Sequence, residues 1–432
     1  MHITNSDSTP LLPVYQGVIT RFLRPEERLI QSQETAMPLV IEATNETKTF
    51  EFLQRFLQEH SVSIMENVAR FGAILFRGFP LETDAAFEEA VLRVRGLRGI
   101  SDVFMAEAGR IHAGKLKYVL HTNAIYKTGG TLYLGGFHSE NYYSTDVPTY
   151  LAFCCLQPSR VGGETGLINT TRFYPLLSQP LRETLENRSF FVSKWLVSEV
   201  AEKYNLPTHK VESLANQFNL PLSGEGKNKF ILMYKPNVFE DPQTGQKALQ
   251  INFFEVPELN EALRRCFESD YAGNKWFWHR FVWHLPHGVF KFLEASYLMT
   301  ASLLYSPKEA VKTFSNKSRS YLASLQCRAD QQRVGSCFSS EDVQELAQHM
   351  RNFYCSCLWQ KGDLLLIDNR KVVHAGMPGA GSRLIRAMIC NPVKMDYQVT
   401  QSGTWLCQES SNDTLGFYAS HPLENGLGGF RE

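Results

Sequence analysis

Apolar positions recur along this chain with two different periods, and the alternation between them predicts its elements. From Thr49 to Phe71, residues Phe52, Leu53, Phe56, Leu57, Ile64, Val68 and Phe71 fall at helical intervals, predicting helix with a break near Ser61. Gly72 to Pro80 is a short apolar run bounded by glycines, which reads as a core strand. Thr83 to Leu97 returns to helical spacing, with Thr83 or Asp84 as the cap. Between 117 and 167 strand-like runs at Tyr118–Leu120, Leu132–Leu134 and Thr149–Cys155 are punctuated by glycine and proline, and 172–220 reads as mostly helix or loop. Phe230–Tyr234 and Leu249–Phe254 flank the turn-rich Asp241–Gly245, predicting a hairpin. Helical spacing and Trp276, Trp278 and Trp283 mark 257–350, after which strands resume at Leu364–Ile367 and Arg383–Ile389.

Many short strands with one long helical interruption argue for a mixed α and β fold, a jelly roll or double-stranded β-helix carrying flanking helices. The chain divides into a leader over 1–48 with a short strand at Leu39–Glu42, a first part of the core over 49–256, and a helical insertion over 257–350. Residues 351–392 complete the core, and a tail over 393–432 shows no clear pattern. The insertion is expected to serve as a lid or as an oligomer contact.

Composition narrows the partners. With 43% hydrophobic residues among 432 the chain can bury a large core. Lysine plus arginine and aspartate plus glutamate both number 44, so no net field or basic block favours nucleic acid or an acidic membrane, and a small molecule becomes the default. The first residues lack a basic stretch followed by an apolar one, and the greasiest window, Phe281–Tyr305, is interrupted by Lys291 and Glu294. The nine cysteines show no framework spacing, consistent with reduced thiols in a cytoplasmic protein. Cys355-Ser356-Cys357 has no second pair to complete a zinc site.

Candidate chemistry centres on Phe137-His138-Ser139-Glu140. Side chains two apart on an extended strand share a face, so His138 and Glu140 can offer an imidazole nitrogen and a carboxylate oxygen to one ion. His374, in the run Gly362-Asp363 to His374-Ala375-Gly376, is the best candidate for a third ligand. Two histidines and one carboxylate leave three metal positions open.

His138-x-Glu140, Gly162-Gly163-Glu164-Thr165, and Gly362-Asp363 through His374 followed by Arg383 together resemble the taurine dioxygenase and clavaminate synthase-like family, the iron(II) and 2-oxoglutarate-dependent oxygenases. Gly72 to Pro80 is similar to that family's N-terminal core strand, so the resemblance covers 50–256 and 338–392. Glutamate in place of the commoner aspartate is similar to the clavaminate synthase-like branch. The resemblance implies that Fe(II) is held by His138, Glu140 and His374, and that 2-oxoglutarate and O2 are consumed while succinate and CO2 are released. It implies hydroxylation of a small metabolite such as an amino acid or amine. Thr165 matches the family's hydroxyl donor to the cosubstrate, and a guanidinium must neutralise its far carboxylate. Arg383 and Arg386 compete for that role: Arg383 opens the strand as the family's arginine does, whereas Arg386 better fits the usual spacing from His374.

Other groups read more plainly. His279, His284 and His287 are expected to pack among tryptophans, Asp363, Asp368 and Asn369 to bracket the strand leading to His374 or to support its imidazole, and Asn123 to sit in a turn. Two other classes remain as alternatives: a protein- or peptide-modifying oxygenase that docks through the insert, and a catalytically silent metal-binding relative.

Overall fold

A computed structural model describes residues 11–99, 113, 116–122, 134, 136–140, 146–187, 189–203, 206–217, 222–241, 244–249, 257–285, 289, 338–399 and 405–413. Its centre is a double-stranded β-helix formed by a large and a small sheet. The large sheet runs in the order β1 (Val18–Arg21), β2 (Leu39–Ala43), β3 (Ala73–Arg77), β14 (Leu364–Asp368), β5 (Asp146–Gln157), β17 (Leu384–Val399), β18 (Trp405–Asp413), with β4 (Leu120–His121) also on β17. The small sheet is β13 (Tyr354–Cys357), β7 (Thr165–Asn169), β15 (Val372–Gly376), extended by the pair β6 (Val161–Gly162) and β16 (Gly379–Ala380). All pairings in both sheets are antiparallel except that of β2 with β3.

Three apolar layers hold this arrangement. Between the sheets lie Ala73, Leu75, Phe153, Leu167, Cys357, Leu365 and Ile385. The fully buried runs of β3 and β14 are continuous rather than alternating because both of their faces are covered. On the outer face of the large sheet, Leu53, Phe56, Ile64, Val68 and Phe87 come from α1 (Phe50–Glu59), α2 (Ser61–Phe71) and α3 (Asp84–Arg93). Thr49 and Thr83 cap α1 and α3 by accepting from the amides of Phe52 and Ala86. Gly72 ends α2 at φ +80, where a Cβ would also press on Asn169 and Val372.

The outer face of the small sheet is covered by α4 (Gln179–Glu186), α7 (Pro257–Phe267), α8 (Phe277–Trp283) and α9 (Ser340–Asn352), through residues such as Leu181, Leu263, Trp283 and Leu346. The helical spacing read over 257–350 is thus realised at both of its described ends. The 172–220 stretch holds α5 (Val197–Lys203) and α6 (Thr208–Gln217) and also a strand, β8 (Ser189–Leu196). Two expectations need correction. Phe230–Tyr234 does not form the predicted hairpin: β10 (Phe230–Pro236) pairs with β8 and β9 (Leu222–Ser223), and the turn at Asp241 joins the shorter β11 (Val238–Glu240) and β12 (Lys247–Leu249). The chain after Pro392 is also strand, since β17 runs on to Val399 and pairs with β18. Leu132, Asn123 and His287 lie outside the described residues.

Candidate metal and cosubstrate site

His138 and His374 meet backbone to backbone. Each amide donates to the other's carbonyl, at 3.0 and 2.9 Å, in a single antiparallel bridge. His138 and Glu140 are therefore attached to the end of the small sheet through β15 rather than lying on a regular strand of their own. One ligand atom from each of His138, Glu140 and His374 falls within 4.8 Å of the others. His138 Nε2 stands 3.8 Å from Glu140 Oε2. Glu140 and His374 are buried and His138 is half-buried.

Neighbouring groups fix these side chains. His138 Nδ1 lies 2.8 Å from the carbonyl of Gly136. A carbonyl can only accept, so Nδ1 carries the proton and Nε2 keeps its lone pair for a metal. Asn369 grips the backbone of Glu140 from both sides: its Oδ1 accepts from the Glu140 amide at 2.6 Å and its Nδ2 donates to the Glu140 carbonyl at 2.9 Å. Asn369 sits in the turn that brackets β15, the first of its two expected roles, and from there it supports the carboxylate residue rather than an imidazole. The ring of Phe153, on β5, packs 5.3 Å from that of His374.

Beyond His374, β7 sets Thr165 opposite Gly376 on β15 and opposite Cys357 on β13. Thr165 Oγ1 accepts from Arg383 Nη2 at 3.3 Å and from the indole Nε1 of Trp359 at 3.1 Å. Arg383 is buried, and its Nε has no hydrogen-bond partner among the described residues. Burial lowers its pKa to about 10, so it stays protonated at neutral pH. Arg386 points the other way. Its Nε donates to Asp84 Oδ1 at 2.6 Å and its Nη1 lies 3.0 Å from His121 Nδ1, which ties β17 to the start of α3.

The remaining singled-out groups are structural. Asp363 takes a bidentate pair from Arg77, at 3.0 and 2.7 Å. Asp368 accepts from the Arg370 amide at 3.0 Å, within the turn before β15. His279 packs against Trp276 and Trp283, and His284 is exposed beside Glu268. The Cys355 thiol donates to the Met37 carbonyl, and Cys355 and Cys357 are free thiols in the core. Trp359 escaped the sequence reading. Its only local signal was an aromatic just before the turn that leads into β14.

The fold is a double-stranded β-helix in which two imidazoles and one carboxylate converge, and in which a buried guanidinium beside Thr165 has an Nε with no partner among the described residues; such a donor set suits a non-haem metal and an anionic cosubstrate. The family model described as "Taurine catabolism dioxygenase TauD, TfdA family" matches residues 37–269, more than half of the 432 residues, and the chain belongs to that family. It is an iron(II)- and 2-oxoglutarate-dependent dioxygenase. The matched span contains His138, Glu140 and Thr165 and ends before His374 and Arg383, which the fold brings to them. No curated protein matches the chain in sequence.

Among solved structures, the chain is similar to a taurine dioxygenase from Burkholderia xenovorans, at 13% identity and a TM-score of 0.43, over 93% of this chain and 97% of that one. It is also similar to the PvcB protein from Pseudomonas aeruginosa, at 11% identity and a TM-score of 0.44, over 88% and 92%. The family match, rather than these distant likenesses, carries the assignment. No helix among the described residues is long and apolar enough to cross a membrane.

Proposed function

We propose that His138, Glu140 and His374 hold the iron, that Thr165 and Arg383 hold the far carboxylate of 2-oxoglutarate, and that the enzyme hydroxylates a small metabolite, an amino acid or an amine. The observation that carries this reading is the convergence of three ligand atoms within 4.8 Å. Their chemistry suits ferrous iron: two neutral imidazoles and one carboxylate, with half of an octahedron left for exchangeable groups. When bound, iron and 2-oxoglutarate supply an oxidant for an unactivated carbon, at the expense of dioxygen and with release of succinate and carbon dioxide.

The protein's own groups make this possible by holding still. Gly136 selects the His138 tautomer, Asn369 fixes the backbone that carries Glu140, and Phe153 limits rotation of His374. Arg383 is the better cosubstrate arginine because its Nε has no partner among the described residues and it touches Thr165, whereas Arg386 is engaged by Asp84 and His121. The ligand cluster is recessed, which supports a small substrate over a folded partner. Cys154, Cys155, Cys266, Cys355, Cys357 and Cys390 are free thiols, which supports a reducing, cytoplasmic setting.

The test is anaerobic. Purified protein with iron(II) and 2-oxoglutarate is expected to show a weak visible charge-transfer band that His374→Ala abolishes, and under air succinate formation should rise with one member of a panel of amino acids and amines. Absence of both the band and succinate overturns the site. Stimulation by peptides alone overturns the small-metabolite assignment.

A further inference from the structure

The hydrogen bonds around Thr165 decide which way its hydroxyl can point. A hydroxyl has two acceptor lone pairs and one hydrogen, whereas an indole and a guanidinium can only donate. Thr165 Oγ1 accepts from both Trp359 Nε1, at 3.1 Å, and Arg383 Nη2, at 3.3 Å. Both lone pairs are therefore used, and the hydroxyl hydrogen must be directed elsewhere. Arg383 Nε is likewise a buried donor without a partner among the described residues. What remains on offer from the pair is the threonine O–H and the other guanidinium N–H groups, Nε among them, with no acceptor.

Trp359 is held there by the sheet. Cys357, the last residue of β13, pairs with Thr165, and Trp359 follows two residues later, buried in the core between the sheets. Cys357 and Trp359 pack in the same apolar layer. The indole thus reaches Thr165 from a position that tertiary packing fixes.

We infer that Trp359 is a positioning residue that fixes the polarity of the Thr165 hydroxyl, so that the pocket offers donors only and distinguishes a carboxylate-ended 2-oxo acid from its neutral amide. This rests on the reading that Thr165 and Arg383 bind the far carboxylate. Without the indole N–H, one lone pair on Thr165 is released and the hydroxyl can turn to accept from an amide NH2. The pocket then loses part of its preference.

The experiment measures binding, not turnover. Mn(II)-loaded protein is titrated calorimetrically with N-oxalylglycine and with the corresponding N-oxalylglycinamide. Trp359→Phe is expected to weaken N-oxalylglycine about tenfold, one decade corresponding to roughly 1.4 kcal/mol, and to narrow the acid-to-amide ratio while Mn(II) affinity stays unchanged. Thr165→Val should narrow the ratio similarly, and Trp359→Phe should add nothing in that background, because the indole acts through the hydroxyl. A wild-type ratio in Trp359→Phe, or an equal effect of that change with and without the hydroxyl, overturns the inference. Should Trp359→Phe not fold, an unchanged ratio in Thr165→Val overturns it instead. Arg383→Met separates the two levels: if it leaves N-oxalylglycine binding intact, the pocket itself is misassigned, whereas weakened binding with an unchanged Trp359→Phe ratio sinks only the role of the indole.

Discussion

At the scale of single residues, Thr165 and Glu164 show how one peptide unit separates two environments. Thr165 meets Arg383 and Trp359. Glu164 accepts from Tyr354 Oη at 3.1 Å and Ser356 Oγ at 3.2 Å, and its Oε2 has no partner among the described residues. Burial pushes its pKa up from 4.5 to about 7, against the hydrogen bonds and the nearby Arg383, which pull it down. The folded protein therefore holds a proton that the unfolded chain releases earlier. This contribution to stability is full below about 4.5, falls as pH rises, and is lost once the folded carboxyl ionises near 7. At about 1.4 kcal/mol per pKa unit the whole effect is on the order of 3 kcal/mol. Glu164→Gln cannot titrate, so its Tm relative to wild type should climb between pH 5 and pH 8. Parallel Tm profiles for the two proteins would show that Glu164 ionises alike in both states.

At the scale of elements, a buried ion cluster joins parts of the chain that are far apart in sequence. Arg77, at the end of β3, is 1% exposed and pairs with Asp363, just before β14, and with Glu27 in the N-terminal segment. Glu27 is opposed by burial, yet hydrogen bonds from Arg21, the Arg24 amide and Arg77 bring its pKa to about 2. Removing the guanidinium leaves Asp363 without a counter-charge among the described residues and Glu27 with Arg21 alone. Arg77→Met should cost about 3–5 kcal/mol, read from the urea midpoint, and Asp363→Leu in the same chain should restore part of it. A loss under 1 kcal/mol, on the order of an exposed pair, would mean that water reaches the cluster. The strands carrying this cluster were legible, because β3 and β14 are unbroken apolar runs; the ion pairs were not, because Arg77 and Asp363 are 286 residues apart. The same holds at the site. As candidates, His138, Glu140 and His374 stand out by residue type and company, whereas Trp359 is drawn in only by its hydrogen bond to Thr165, 194 residues away, and Asn369 only by its hold on Glu140, 229 away. The sequence pattern of β17 stops short of the strand's true end, because a proline such as Pro392 normally ends a ladder. The chain passes it with Asn391 at φ 54, whose side chain takes the Arg98 amide at 2.7 Å and gives to the Gly96 carbonyl at 2.6 Å.

At the scale of the whole molecule, the site lies across the seam between the two sheets. His374 and Thr165 belong to the small sheet, whereas Arg383 leads into β17 of the large one. A metal held by His138, Glu140 and His374 joins only the small sheet to the segment bridged onto it. A cosubstrate that chelates this metal at one end and meets Arg383 at the other would join both sheets. Ligand that binds only the folded state adds RT ln(1 + [L]/Kd), about 2.7 kcal/mol at a hundredfold excess over Kd. On the proposed assignment the two additions should not be independent, since the 2-oxo acid end would need the metal while the far carboxylate would need only Arg383 and Thr165. Calorimetric scans should therefore show a modest rise in Tm with Mn(II), little with N-oxalylglycine alone, and with both a rise larger than the sum. His374→Ala should erase the metal increment and most of the combined one, leaving the small response to N-oxalylglycine. Strictly additive shifts would mean that metal and cosubstrate bind at separate places, and the seam would then owe its cohesion to apolar packing alone.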